Sequence, residues 1–90
     1  MEIELTDIEY EILGSVYFVE SFEHILEDCK EKAPVVADVL KQLIHKKYIV
    51  PMKWNEEKTE FIRSYIYDTD DMKAYHYLIT KDGLVAHNSK

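Results

Sequence analysis

PVVADVLKQLIHKKYIV, residues 34–50, changes character twice. Its opening proline suits the first position of a helix, where the missing amide has no partner to lose. Val36, Val39, Leu40, Leu43 and Ile44 then recur at helical spacing and predict one buried face. Helical geometry turns Pro34, Asp38, Lys41, Gln42 and His45 to the opposite side. Positive charge gathers at the carboxyl end in His45, Lys46 and Lys47. From Tyr48 the apolar period drops to two, so YIVPMKW (48–54) reads as a strand, with Pro51 confining it to an edge or a bulge. A helix therefore hands over almost directly to a strand.

Upstream, two shorter helices are predicted. Thr6 and Glu9 have the spacing of a capping box, and Leu5 and Tyr10 that of a hydrophobic staple. Ile8, Ile12, Val16 and Val19 continue on one face, widened by Leu13. Gly14 in their midst costs about 1 kcal/mol relative to alanine and suggests close packing against another helix. Ser21 can cap a second helix whose buried side is Phe22, Ile25, Leu26 and Cys29, ended by the polar KEKA (30–33). Ile12, Val16, Ile25, Leu26, Leu40 and Leu43 are the expected centre of a three-helix cluster.

Downstream, NEEKTE (55–60) is a polar turn and FIRSYIY (61–67) a second strand-like run. DTDDMKA (68–74) is a polar connection with room for one helical turn. YHYLI (75–79) is a third strand, and Thr80 starts a terminal turn or short helix. Asp68, Asp70 and Asp71 briefly resemble a calcium loop, but Lys73 and Ile79 stand where such a loop needs glycine and glutamate. They read instead as turn and cap residues.

Ninety residues with 47% hydrophobic and 32% charged side chains fit one soluble domain over residues 1–90. No apolar run is long enough to cross a bilayer, and the acidic opening is unlike a signal peptide, so a cytoplasmic location is expected. Cys29, the single cysteine, fits a reducing compartment and a place in the core. The spacings of His24, His45, His76, His87 and Cys29 match no usual ligand pair, so no metal or other cofactor is expected. Neither a phosphate-binding glycine loop nor a nucleophile elbow is present, and no enzymatic activity is predicted.

The net charge of −7 is unevenly spread. Residues 1–31 hold ten acids and one lysine, and residues 54–90 seven acids and five bases. Only residues 32–53 are basic, with Lys32, Lys41, Lys46, Lys47 and Lys53 against Asp38. Cations there can neutralise DNA phosphates, or can simply complement the helix dipole. Most aromatics fall in the strand region (Tyr48, Phe61, Tyr65, Tyr67, Tyr75 and Tyr77), which suits either a half-buried sheet or a homodimer interface.

The order helix, helix, helix, strand, hairpin, strand resembles the winged helix-turn-helix domain. VLKQLIHKKYIVPM (39–52) resembles that family's recognition helix running into its first wing strand, and YHYLITKDGL (75–84) its returning strand. The resemblance covers about residues 6–85 and implies an α+β winged helix, a three-helix cluster followed by a small antiparallel sheet. It implies a dimeric bacterial transcriptional regulator whose third helix, 34–47, enters the major groove of DNA. Lys41, Gln42 and His45 would then face the duplex, and Lys32, Lys46 and Lys47 lie near phosphates. The alternative from the residues themselves is a protein-interaction module that keeps the fold without DNA contact. The acidic turn Glu56, Glu57, Glu60 and the apolar start of the third helix fit that reading. A continuous positive face over residues 32–53 would mark DNA contact; neutralisation by acids of the first helix would mark a protein partner.

Overall fold

A computed structural model describes residues 4–89. Glu2, part of the acidic opening, and the ends of the expected 1–90 domain lie outside the described residues. Thr6 closes the capping box at the start of α1 (Asp7–Ser15): its hydroxyl accepts from the Glu9 amide at 3.1 Å, and Glu9 Oε1 accepts from the Thr6 amide at 3.0 Å. The helix ends at Ser15, so Val19 lies beyond it and not on its fourth turn as its spacing suggested. After a two-residue strand β1 (Glu20–Ser21), Ser21 caps α2 (Phe22–Cys29) through the His24 amide. Lys30 ends α2 in the left-handed conformation, φ 54°, with its amide on the Leu26 carbonyl.

The long helix α3 (Ala33–His45) has proline in its first turn. Two reciprocal bonds close its end, Lys47 amide to Ile44 carbonyl and Tyr48 amide to Leu43 carbonyl, both 2.9 Å. That pairing is a Schellman motif, and it places Lys47 at φ 66°. The reversal sends the chain straight into β2 (Ile49–Asn55), which turns through residues 56–59 into β3 (Glu60–Arg63). A 3₁₀ turn (Met72–Ala74) precedes β4 (His76–Ile79), and Thr80 caps α4 (Lys81–Asn88).

The four strands form one antiparallel sheet in the order β1-β4-β2-β3, so the fold is α+β. β2 is an inner strand, which corrects the edge position expected from Pro51. The reason lies in the backbone alternation. The Pro51 carbonyl accepts from the Ser64 amide at 2.8 Å and so points to the β3 side, just beyond the end of that strand. The proline's missing donor points the same way, and the ladder to β4 needs nothing from it.

The core lies between the helices and one face of the sheet. Ile12, Val16, Ile25, Leu40 and Leu43 are fully buried, and Leu26 packs partly buried against them. The sheet adds Ile49, Tyr77 and Ile79, and Tyr75 joins them from just before β4. α4 packs against α1 at Gly14, where an added Cβ would stand 3.3 Å from His87 Nε2. His87 stacks on Tyr10 with ring centroids 4.3 Å apart and is hydrogen-bonded to the Tyr17 hydroxyl at 2.6 Å. Gly83 is tighter still: its Cβ position is 2.1 Å from the Tyr48 carbonyl oxygen. No helix among the described residues is long and apolar enough to cross a membrane.

Candidate functional site: the face of α3 and its acidic neighbour

The six side chains marked by sequence all sit on or beside α3, but they do not make one positive face. Lys32 precedes the helix and makes no capping bond with its side chain. Lys41 is half-buried and lies 3.8 Å from Asp38 one turn earlier, an exposed pair of little energetic weight. Gln42 and His45 are exposed on the carboxyl-terminal half. Lys47 is exposed past the helix end, and its carbonyl accepts from Thr80 Oγ1 at 2.7 Å.

Lys46 points elsewhere. Its ammonium donates to Glu9 Oε2 at 2.6 Å, joining the end of α3 to the start of α1. The Glu9 side chain is only 3% exposed, so one carboxylate both caps α1 and anchors α3. Burial by itself would raise the Glu9 pKa. The hydrogen bonds from Lys46 and Thr6, with the Lys46 charge, outweigh burial and hold the carboxyl below its usual range. An acid of the first helix thus neutralises one of the expected phosphate contacts.

The first half of α3 has a second acidic neighbour that sequence reading did not place there. The connection between β3 and β4 folds across it, leaving a groove of about 480 Å³. Ala33, Pro34 and Ala37 line it with Phe22 and Met72, and its charged walls are Asp38, Asp70 and Asp71 against Lys41 and Lys73. The connection is held in place. Met72 is buried and its carbonyl accepts from the Tyr77 hydroxyl at 2.6 Å. The Asp68 amide donates to the Tyr75 hydroxyl at 2.7 Å, and Asp68 Oδ1 accepts from the Asp70 amide at 2.9 Å. Asp68 and Asp70 therefore are turn residues, as their types suggested. No local signal could have brought Asp70 and Asp71 to Asp38, because the approach depends on the buried Met72 and Tyr77.

Three other titratable groups are shifted by their surroundings. Burial, with Glu11, Asp28 and Glu31 nearby, pushes the Cys29 thiol up to about 11, as suits a core position. Burial also raises the Tyr77 phenol, whose proton is committed to the Met72 carbonyl. His24 bridges Glu20 and Asp28 on the surface of α2, and its hydrogen bond to Glu20 and the charges of both acids raise its pKa. Among the described residues no three His, Cys, Asp or Glu side chains converge as a metal cage.

Of the six strand-region aromatics, Tyr75 and Tyr77 are buried in the chain's own core, and Tyr48, Phe61 and Tyr67 are half-buried. Of the six, Tyr65 alone is exposed, at 83%, beside Ile66 at 90%. Compared with protein-family models, curated proteins and solved structures, the chain matches none.

Proposed function

We propose that this chain is a winged-helix-like protein-interaction module whose α3 groove holds a basic segment of a partner protein. Three helices, with a two-residue strand after the first, and an antiparallel sheet completed by the chain after α3 support the architectural part. One observation carries the functional part: the groove over the first half of α3, the half that a recognition helix would press into a base-pair groove, is lined by three carboxylates, Asp38, Asp70 and Asp71, against two lysines, Lys41 and Lys73, so acid is in excess. Carboxylates there repel phosphates, while a partner's lysine or arginine finds complementary charge above a floor of small apolar side chains. The neutralisation of Lys46 by Glu9 points the same way.

A peptide-display selection on the protein should enrich Lys- or Arg-rich sequences with an interspersed apolar residue. The charge-reversed variant Asp38→Lys/Asp71→Lys should lose them. Enrichment of acidic or uncharged sequences would refute the reading.

DNA binding is the second reading, favoured by the exposed Gln42, His45, Lys32 and Lys47. In that case a mixed-sequence duplex binds at low salt and the variant Lys32→Glu/Lys47→Glu, which leaves the Glu9–Lys46 pair intact, does not. A homodimer belongs to either reading. It would use the apolar side chains still exposed, among them Phe18, Trp54, Ile66 and Val85. Light scattering should then give twice the 10.7 kDa chain mass at micromolar concentration.

A further inference from the structure

A second groove, at the other end of α3, has the opposite charge. It is about 460 Å³ in volume, with a floor of Ile44, Ile49, Val50 and Pro51. Lys47, Arg63 and Lys81 reach it from three different segments, against Asp82 alone, and Tyr65 and Tyr67 line the same space. None of the three cations forms an ion pair among the described residues. In a chain of net charge −7, three cations facing one carboxylate over an apolar floor need a reason.

Stability does not supply one. Lys81 is the first residue of α4, at the positive end of the helix dipole, where an acid is the favourable choice. Lys47 sits at φ 66°, a conformation in which glycine or asparagine is less strained. The conformation of Lys47 is shared by Lys30 outside the groove, so the position of Lys81 against the helix dipole carries the point. Arg63 lies 4.8 Å from the ring centre of Tyr65, so a planar guanidinium and an aromatic face already stand together at the rim. The volume is in the range of small-molecule sites, which pair an apolar lining with a few convergent polar groups.

We propose that this groove binds a small aromatic carboxylate. Its ring rests on Val50, Pro51 and the tyrosines, and its carboxylate meets Arg63, Lys81 and Lys47. Arginine offers the planar fork that matches a carboxylate, and the ring faces of tyrosine accept a flat ligand edge-on or offset. The assignment does not depend on the α3 groove or on its partner.

The test is an amide-resolved NMR titration of the full chain with phenylacetate, phenylacetamide and inorganic phosphate. Phenylacetate should shift the amides of Lys47–Val50 and Ser64–Tyr67 saturably at millimolar concentration. Loss of the charge in phenylacetamide should weaken binding by about tenfold or more. The variant Arg63→Gln/Lys81→Gln should show the same loss with its spectrum otherwise native, and Lys53→Gln/Lys58→Gln, away from the groove, should not. Equal binding of the acid and the amide would overturn the proposal, because the cations would then contribute nothing. So would inorganic phosphate binding as well as phenylacetate, or shifts that map to other residues, or no shift at all.

Discussion

Replacing Gly83 by alanine inverts the usual expectation for a glycine inside a helix. On an open surface the substitution stabilises by about 1 kcal/mol, because alanine is the better helix former. Here the new methyl would stand 2.1 Å from the Tyr48 carbonyl oxygen, 3.0 Å from its carbon and 2.7 Å from Ile79 Cγ1. The first two atoms are backbone and cannot rotate away, so α4 must retreat from β2. Retreat loosens the Thr80 amide bond to the Tyr48 carbonyl (2.9 Å) and the Thr80 hydroxyl bond to the Lys47 carbonyl (2.7 Å). Overpacking costs about 1–3 kcal/mol and each weakened bond about 1 kcal/mol. Set against the propensity gain, the net loss is about 3 kcal/mol, or a Tm lower by about 12–24 °C for a domain of this size. Gly14→Ala is the matched control. Its methyl meets only the movable imidazole of His87, at 3.3 Å, so its stability should change by less than about 1 kcal/mol. Thermal and urea unfolding of both variants decide the matter. If Gly83→Ala is as stable as the parent, α4 does not pack on the start of β2 as described.

The Glu9–Lys46 pair predicts that Glu9→Gln costs about 1.5–3 kcal/mol at neutral pH in urea unfolding, the range for a hydrogen bond to a charged group. Because the folded Glu9 pKa is depressed, this contribution is present above the ordinary carboxylate pKa and fades as pH falls through the folded value. The parent and variant curves should therefore converge in acid; a constant gap would argue against the ion pair. Leu40→Ala, at a fully buried site, should cost about 2–5 kcal/mol, and a loss under about half a kilocalorie would mean the α3 register is wrong. His24 should titrate by NMR above the ordinary histidine value and return toward it in Glu20→Gln. Its raised pKa means the bridge contributes below the unfolded histidine pKa and is lost as pH rises through the folded one. Cys29 should react with a disulfide reagent at pH 8 no faster than the protein opens, whereas fast labelling of folded protein would contradict its burial.

Features set by neighbours in the chain were legible, and features set by distant ones were not. Thr6, Ser21 and Thr80 announce their helices because a cap needs only the next three residues. The apolar faces of α2 and α3 follow from spacing alone, as does the change of period at Tyr48. β1 was invisible, since two residues carry no period and become a strand only by pairing with Tyr77 and His76. FIRSYIY has the composition of a strand throughout, yet β3 stops at Arg63 and leaves Tyr65 and Ile66 outside the ladder. Propensity cannot say where a ladder ends: β2 continues back to Ile49, but Pro51 has no amide to offer on the β3 side, and the pairing stops at Met52 and Arg63. The six α3 residues were legible as a list but not as a surface. Lys46 meets an acid 37 positions away, and Asp38 faces two acids that a buried methionine and tyrosine bring across the sheet.

We propose that α3 presents a cation-accepting groove to a protein and not a phosphate-binding face to DNA. Fluorescence anisotropy of the 90-residue chain against two labelled probes at one low ionic strength tests it directly. One probe is a mixed-sequence duplex, the other a Lys/Arg-rich peptide from the display selection. The account predicts saturable peptide binding that Asp38→Lys/Asp71→Lys removes, and no binding of the duplex. Duplex binding that disappears in Lys32→Glu/Lys47→Glu, with the peptide left free, would contradict it.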